Sequence, residues 1–308
     1  MEQPPITVII PAYNPGQRLS ACLDSVVAQS MSEFEVIVID DGSPEDLSWV
    51  AEFNDSRIRL VRQLNSGVSA ARNHGARLAA GTWLAFLDQD DTWHPDKLAL
   101  QWALVSRYPH AAFHHTGFTW VTGQERRPAD FLDVTYRGLL EDQHACLSSL
   151  MVSRAAYLDV GGHDITLAQM QDYDLMLRLA LGRPDPIITP AHLVDYHLHE
   201  DNASRDYPAA VAERTSVLRR HLALARRRSD QLGVQAAKRG LARGRELYAL
   251  QAIDAGRQSA RAGDYSAAAG HLARTLRLSP RVGLLHTRSV GRAALGSIGR
   301  RIGRSTPS

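Results

Sequence analysis

Residues 6–14 read ITVIIPAYN. Ile6–Ile10 is an unbroken β-branched run, bounded by Pro4 and Pro5 before it and Pro11 after it, as expected for a strand buried on both faces. Polar Tyr13 and Asn14 follow at once. The same phrasing recurs downstream. Glu35–Ile39 is a second apolar run and ends at Asp40–Asp41, Ile58–Val61 is a third, and Trp83–Leu87 is a fourth, ending at Asp88. Between the first two, Arg18–Ser30 places Leu19, Leu23, Val26 and Val27 at helical spacing. Ser66 is an N-cap residue for a helix through Ala79, with Gly81 to end it. Pro95 suits the first turn of a helix continuing to Arg107. Strands alternating with helices predict an α/β fold: a mainly parallel sheet with helices on both faces. Such sheets bind ligands outside the carboxyl ends of their strands, where Tyr13, Asn14, Asp40, Asp41, Asp88 and Asp90 collect.

Outward from this block the pattern loosens. In residues 109–204, Cys146–Val152 reads as a strand, Gly161–Gly162 as a turn, and Gln169–Leu181 as a helix with Met170, Tyr173, Leu177 and Ala180 on one side. After about residue 205 the chain is rich in Ala, Leu and Arg and reads as entirely helical, with Pro208 and Pro280 as helix starts and Asp264 as an N-cap. The segment AGDYSAAAGHLARTLRLSP, residues 262–280, resembles half of a tetratricopeptide repeat. Such repeats need about three copies to stand alone, so a helical hairpin is expected. The division is therefore residues 1–204, with halves 1–108 and 109–204, followed by a C-terminal all-helical region, 205–308.

The net charge of +2 hides an asymmetry: residues 205–308 carry +15 and residues 1–204 carry −13. The acidic part should attract a cation, and the basic part phosphates or anionic lipid. Nucleic acid is not expected, because the basic part offers only Tyr207, Tyr248 and Tyr265 for stacking. Cys22 and Cys146 are the two cysteines and lack metal-type spacing, which fits a reducing compartment. No apolar run approaches the roughly 18 residues of a membrane span, and the first residues lack the marks of a signal peptide. The expectation is a cytoplasmic protein, peripheral at most.

VIIPAYN, VIVIDDGSPED, LNSGVSAARNHG, LAFLDQDD, GGHD and QDYDLMLRL occur, in order, within residues 5–204. In that order and spacing the chain resembles the family 2 glycosyltransferases with the GT-A fold. The resemblance implies an inverting transfer of sugar from a nucleotide-sugar, with UDP as the first expectation, to an acceptor hydroxyl of a glycan or lipid-linked molecule, in bacterial cell-surface glycan synthesis. It places Pro11, Tyr13, Asp41, Arg72 and Asp88 at the donor nucleotide. Tyr13 would stack on the base, Asp41 would accept from the uracil imide, and Arg72 would meet a base carbonyl or phosphate. Asp88-Gln89-Asp90 matches the Asp-x-Asp motif. A bound diphosphate calls for a hard divalent cation, Mn²⁺ or Mg²⁺, held by one or two carboxylates. Asp90 would be its direct ligand, Asp88 would face the ribose or a metal-bound water, and His199 would touch metal or diphosphate.

Asp172 is the expected general base. The family has an acidic pair where Gln171–Asp172 stands, so Gln171 is a departure, and so is His197, where arginine is usual. Plainer readings accompany several positions. Asp40–Ser43 would form a turn before a helix at Pro44, Asp91 and Thr92 would cap the helix at Pro95, and Asp174 and Arg178 would form an ion pair along one helix face. His114–His115 would be structural. A dehydrogenase should show G-x-G-x-x-G after the first strand, where PAYNPGQ stands instead. The remaining rival is a non-catalytic sugar- or partner-binding module working through its helical tail, which could also mediate oligomerisation.

Overall fold

The computed structural model describes residues 4–53, 55–130, 133–142, 146–199 and 207–283. The chain divides into two compact units, Met1–Leu139 with Gln143–Ala203 and Leu140–Asp142 with Ser204–Ser308.

The first unit opens with β1 (Ile6–Ala12), α1 (Arg18–Val27), β2 (Phe34–Asp40), β3 (Ile58–Arg62), α2 (Val68–Leu78) and β4 (Trp83–Phe86). β1 lies between β2 and β4, β3 lies outside β2, and all three pairings are parallel. Ile6, Val8, Ile9 and Ile10 are fully buried, so the β-branched run fills both faces of the central strand, as its composition requires. Pro11 is buried within β1 opposite Ile39. Its missing N–H costs no ladder bond, because the β1–β4 pairing stops at Ile9–Phe86 and closes with Leu87 N–H donating to the Ile9 carbonyl.

The chain continues through β5 (Thr92–Trp93), α3 (Lys97–Arg107), β6 (His114–Thr122), β7 (Glu125–Pro128), α4 (Tyr136–Glu141), β8 (Met151–Ser153), α5 (Arg154–Asp159), α6 (Gln171–Ala180) and β9 (Ile187–His197). The full sheet runs β3-β2-β1-β4-β8-β6-β9-β5, with β7 beside β6. β8 is antiparallel to both β4 and β6, while β6 and β9 are parallel. β1 to β4 thus form a parallel block within a mixed sheet, with helices and a helical C-terminal region as expected.

Several local expectations give way to specific bonds. Ser66 does not cap α2: its N–H donates to Asp41, and the N-cap is Gly67 at φ 88°, a conformation that favours glycine. Gly81 stands three residues past α2, and its service is space: a Cβ there would sit 2.6 Å from the Thr7 backbone nitrogen. No α-helix starts at Pro44; the chain makes a short 3₁₀ turn at Ser48–Val50. Cys146–Val152 is not one strand. The Ser149 N–H and hydroxyl both donate to the Cys146 carbonyl, which folds Leu147–Ser149 into a 3₁₀ turn before β8. Pro95 precedes rather than enters α3, whose N-cap is Asp96.

The second unit holds α7 (Tyr207–Arg227), α8 (Gln231–Ala262) and α9 (Tyr265–Leu278), and residues 280–283 are again helical. Asp230 and Asp264 cap α8 and α9 with side-chain bonds to Gly233 N and Ala267 N, and Gly263 ends α8 in the left-handed conformation. Buried Arg214 donates to the Gly240 carbonyl at 2.6 Å, tying α7 to α8. Among the described residues no helix is long and apolar enough to cross a membrane.

Candidate active site

The carboxyl ends of β1, β2 and β4 bring three predicted groups to one edge. Tyr13 follows β1 and is 49% exposed. Its backbone is held by Gln89, whose carboxamide accepts from Tyr13 N at 2.8 Å and donates to Tyr13 O at 3.2 Å. The middle residue of Asp-x-Asp therefore fixes the loop that carries the aromatic ring. Asp41 follows β2, buried, and organises residues 63–67: Oδ1 accepts from Gln63 Nε2 and Ser66 N, and Oδ2 from Gly67 N, all at 2.8 Å. Asp40 is structural, accepting from Ser43 N and pairing with Arg62 at 2.9 Å.

Asp88 follows β4. Arg72 of α2, 2% exposed, reaches it with Nη2 at 2.5 Å and reaches Asp172 of α6 with Nη1 at 2.9 Å. The guanidinium is no surface salt bridge; it joins the Asp-x-Asp motif to the expected base. Burial works against its charge, but Asp172 and Asp88 outweigh burial and keep it protonated. Burial lifts the Asp88 carboxyl above its usual value against the pull of Arg72. At Asp172 burial also acts upward, yet Arg72 and a hydrogen bond from His163 prevail and hold that carboxyl below the ordinary range.

Asp90 Oδ2 stands 2.7 Å from His199 Nε2. The two groups predicted to meet a metal are therefore brought together, although they are 109 residues apart. His197 goes elsewhere and meets Thr92 Oγ1 at 3.3 Å. Among the described residues no three His, Cys, Asp or Glu side chains converge as a metal cage. One carboxylate and one imidazole suit a hard cation whose remaining ligands are diphosphate and water.

Asp91 is not a helix cap. It is buried, accepts from Ser148 Oγ at 2.5 Å and from His197 N at 3.2 Å, and burial with the charges of Asp88 and Asp90 pushes its carboxyl well up. Ser148 in turn accepts from Asp88 N at 3.2 Å, so the 3₁₀ turn braces the motif from behind. Ser148 carried no signal in the sequence. His163, inside GGHD, was quoted there without a role, yet its Nε2 lies 3.1 Å from Asp172 Oδ1. The Asp174–Arg178 pair forms at 2.7 Å as expected, and Arg178 also donates to the carbonyls of Val160 and Gly162, tying α6 to the turn before His163. Gln171 is buried, whereas the Asp172 side chain keeps 23% of its surface.

Comparison with known proteins points to one family. The family model described as Glycosyl transferase family 2 matches residues 7–156. An uncharacterized glycosyltransferase of Haemophilus influenzae is 31% identical over 213 residues, covering 65% of this chain and 71% of that protein. The Escherichia coli UDP-Glc:alpha-D-GlcNAc-diphosphoundecaprenol beta-1,3-glucosyltransferase WfgD is 37% identical over 102 residues, covering 32% of this chain and 40% of WfgD. The crystal structure of S. aureus TarS 1–349 in complex with UDP-GlcNAc matches with a TM-score of 0.59 at 16% identity, covering 88% of this chain and 91% of that one. At that identity the likeness to TarS speaks for the fold. With the Haemophilus relative spanning most of its length and the family motifs meeting at one sheet edge, the chain belongs to glycosyl transferase family 2.

Proposed function

We propose that the chain transfers a sugar from a UDP-sugar to an acceptor hydroxyl in a single displacement that inverts the anomeric carbon, with Asp172 as general base. The observation that carries this reading is the Asp88–Arg72–Asp172 bridge, which holds an ionised carboxylate beside the Asp-x-Asp motif. Asp172 takes the acceptor proton, the acceptor oxygen bonds to the anomeric carbon, and the bond from that carbon to the diphosphate breaks with its electron pair leaving on UDP. Tyr13, on its Gln89-clamped loop, offers a face for the base, and Asp41 an acceptor for the imide. Asp90 and His199 would hold Mn²⁺ or Mg²⁺, which supplies Lewis-acid stabilisation of the departing diphosphate.

Two names among the similar proteins favour the donor and the acceptor class. WfgD is named for UDP-glucose and a diphosphoundecaprenol-linked sugar, and the TarS crystals contain UDP-GlcNAc. A lipid-linked acceptor would be met at the inner membrane face, where the basic residues 205–308 would hold a cytoplasmic enzyme against anionic lipid. The decisive experiment scores UDP release from UDP-glucose and UDP-GlcNAc with Mn²⁺. Asp172→Asn keeps shape and removes the proton acceptor. It should lower turnover by about 10²–10⁴ while donor affinity barely changes. Near-normal turnover in that variant refutes the assignment of the base, and UDP-sugar binding without any turnover by the wild type would make the chain a sugar-binding module instead.

A further inference from the structure

Asp172 is gripped unevenly. Arg72 Nη1 and His163 Nε2 both meet Oδ1, at 2.9 and 3.1 Å. Among the described residues no donor meets Oδ2. A carboxylate held ionised by Arg72 can only accept, so the His163 nitrogen facing it must carry the proton. The imidazole is placed to do this. Its side chain is fully buried, and its ring lies edge-on to Phe86 at 5.5 Å. The other ring nitrogen, Nδ1, lies 2.7 Å from the Tyr157 hydroxyl, which itself donates to Asn73 Oδ1 at 2.6 Å. Asn73 closes the frame: its Oδ1 accepts from His163 N and its Nδ2 donates to His163 O, each at 2.9 Å. A Cβ on Gly162, φ 69°, would sit 2.3 Å from that Oδ1, so this frame needs glycine before the histidine.

We infer that His163 is a positioning residue for the base: clamped by Tyr157 and Asn73, it donates Nε2–H to Asp172 Oδ1, so that Oδ1 is occupied by His163 and Arg72 and the acceptor proton goes to Oδ2. This rests on the reading of Asp172 as the base. Two donors on one oxygen leave the other the more basic, and they fix the plane of the carboxylate so that its free lone pairs keep one direction. Burial, with Arg72 beside it, lowers the imidazole to about 4 while the hydrogen bond to Asp172 pulls the other way; the proton on Nε2 is the one that the contact with an ionised Asp172 requires.

The test uses the full chain. Long-range ¹⁵N NMR at pH 7, with the His163 signals identified by their loss in His163→Phe, reads which ring nitrogen is protonated. The inference requires a protonated Nε2; an unprotonated Nε2 overturns it whatever the kinetics. Kinetics with UDP-glucose and UDP-GlcNAc supply the second arm. His163→Phe keeps a flat ring among Phe86 and Tyr157 but removes the donor. It should lower kcat about tenfold, leave the donor KM unchanged, and move the acid limb of kcat to higher pH, because a carboxylate that loses a donor binds its proton more tightly. His163→Gln, which keeps an N–H donor, should restore most of kcat. Wild-type kcat and an unmoved acid limb in His163→Phe overturn the inference if Asp172→Asn is inactive. An active Asp172→Asn overturns the reading of the base instead.

Discussion

At the scale of the residue, the site is a set of carboxylates whose partners differ, and those partners separate their roles. Asp40 and Asp91 are consumed by the scaffold, through Arg62 and Ser43 and through Ser148 and the His197 N–H. Asp90 meets one imidazole. Asp90→Ala should abolish Mn²⁺-dependent binding of UDP and leave the chain folded, since Asp90 lies outside the apolar core and its change breaks the bond to His199. Calorimetric titration of UDP with and without Mn²⁺ reads it, and undiminished metal-dependent binding would remove Asp90 from the site. Asp88, Asp90 and Asp172 were legible because a strand end or an early helix turn followed by acid is visible in one dimension. His163 was not, because its partners Asn73 and Tyr157 are 90 and 6 residues away and no periodicity links them. Arg72 was legible only as a residue near the donor. That it spans 100 residues to Asp172 is a property of the fold.

At the scale of the element, the clear failures of the sequence reading are polar side chains overriding pattern: Asp41 taking the N–H of Ser66, and Ser149 folding back on Cys146. α3 and β6 carry the opposite problem, polar groups inside an apolar layer. Lys97 is fully buried, with Nζ 3.6 Å from the centre of the Trp93 ring and no hydrogen-bond partner among the described residues. Burial pushes its ammonium well down. Lys97→Met keeps the length, removes the buried ionisable group and should raise stability by about 1–3 kcal/mol, seen as a higher urea midpoint. An equal or lower midpoint would mean that Lys97 has polar company in its layer. His115 of β6, also buried, is lowered to about 4 by burial and by Lys97. Its unfolded value is 6.5, so the unfolded chain binds more protons between those limits. Its contribution to stability is therefore present above pH 6.5 and is lost as pH falls toward 4, by on the order of 3 kcal/mol. Asp88 and Asp91, both pushed upward, act in the opposite sense, so the test is a difference. Stability of wild type minus His115→Gln should decline by that amount from pH 7 to pH 4, and a flat difference would show His115 titrating normally.

At the scale of the whole molecule, charge separates along the chain more sharply than its net value shows. The parallel block β1 to β4 was legible, because its apolar runs announce buried strands by composition. The mixed half was not, since β6, β7 and β9 alternate little and β8 has three residues. On the second unit, α7 ends with Arg226 and Arg227, and Arg228 follows it, all three exposed. The expected basic cluster at Arg300, Arg301 and Arg304, and most of the amphipathic stretch Arg281–Arg304 with Leu284, Leu285, Val290, Leu295 and Ile298, lie outside the described residues. Each basic residue near an anionic surface contributes about 1 kcal/mol. The full chain should therefore float with vesicles containing phosphatidylglycerol but not with neutral ones, and salt should release it. Replacing Arg226, Arg227 and Arg228 by serine should weaken flotation by roughly 100-fold in affinity, taking about 1 kcal/mol for each arginine. Equal flotation on both vesicle types, or none, would leave the arginines to solubility.

The frame around His163 also bears on how such enzymes could be recombined. Asn73, Arg72 and Asp88 come from residues 1–108 of the chain, and Tyr157, His163 and Asp172 from residues 109–204. A crossover near residue 108, made to graft a relative's second half, cuts between the two sets. The halves are therefore not interchangeable modules. A chimera keeps the frame around Asp172 only when the incoming half brings a partner shaped to the asparagine and arginine already present.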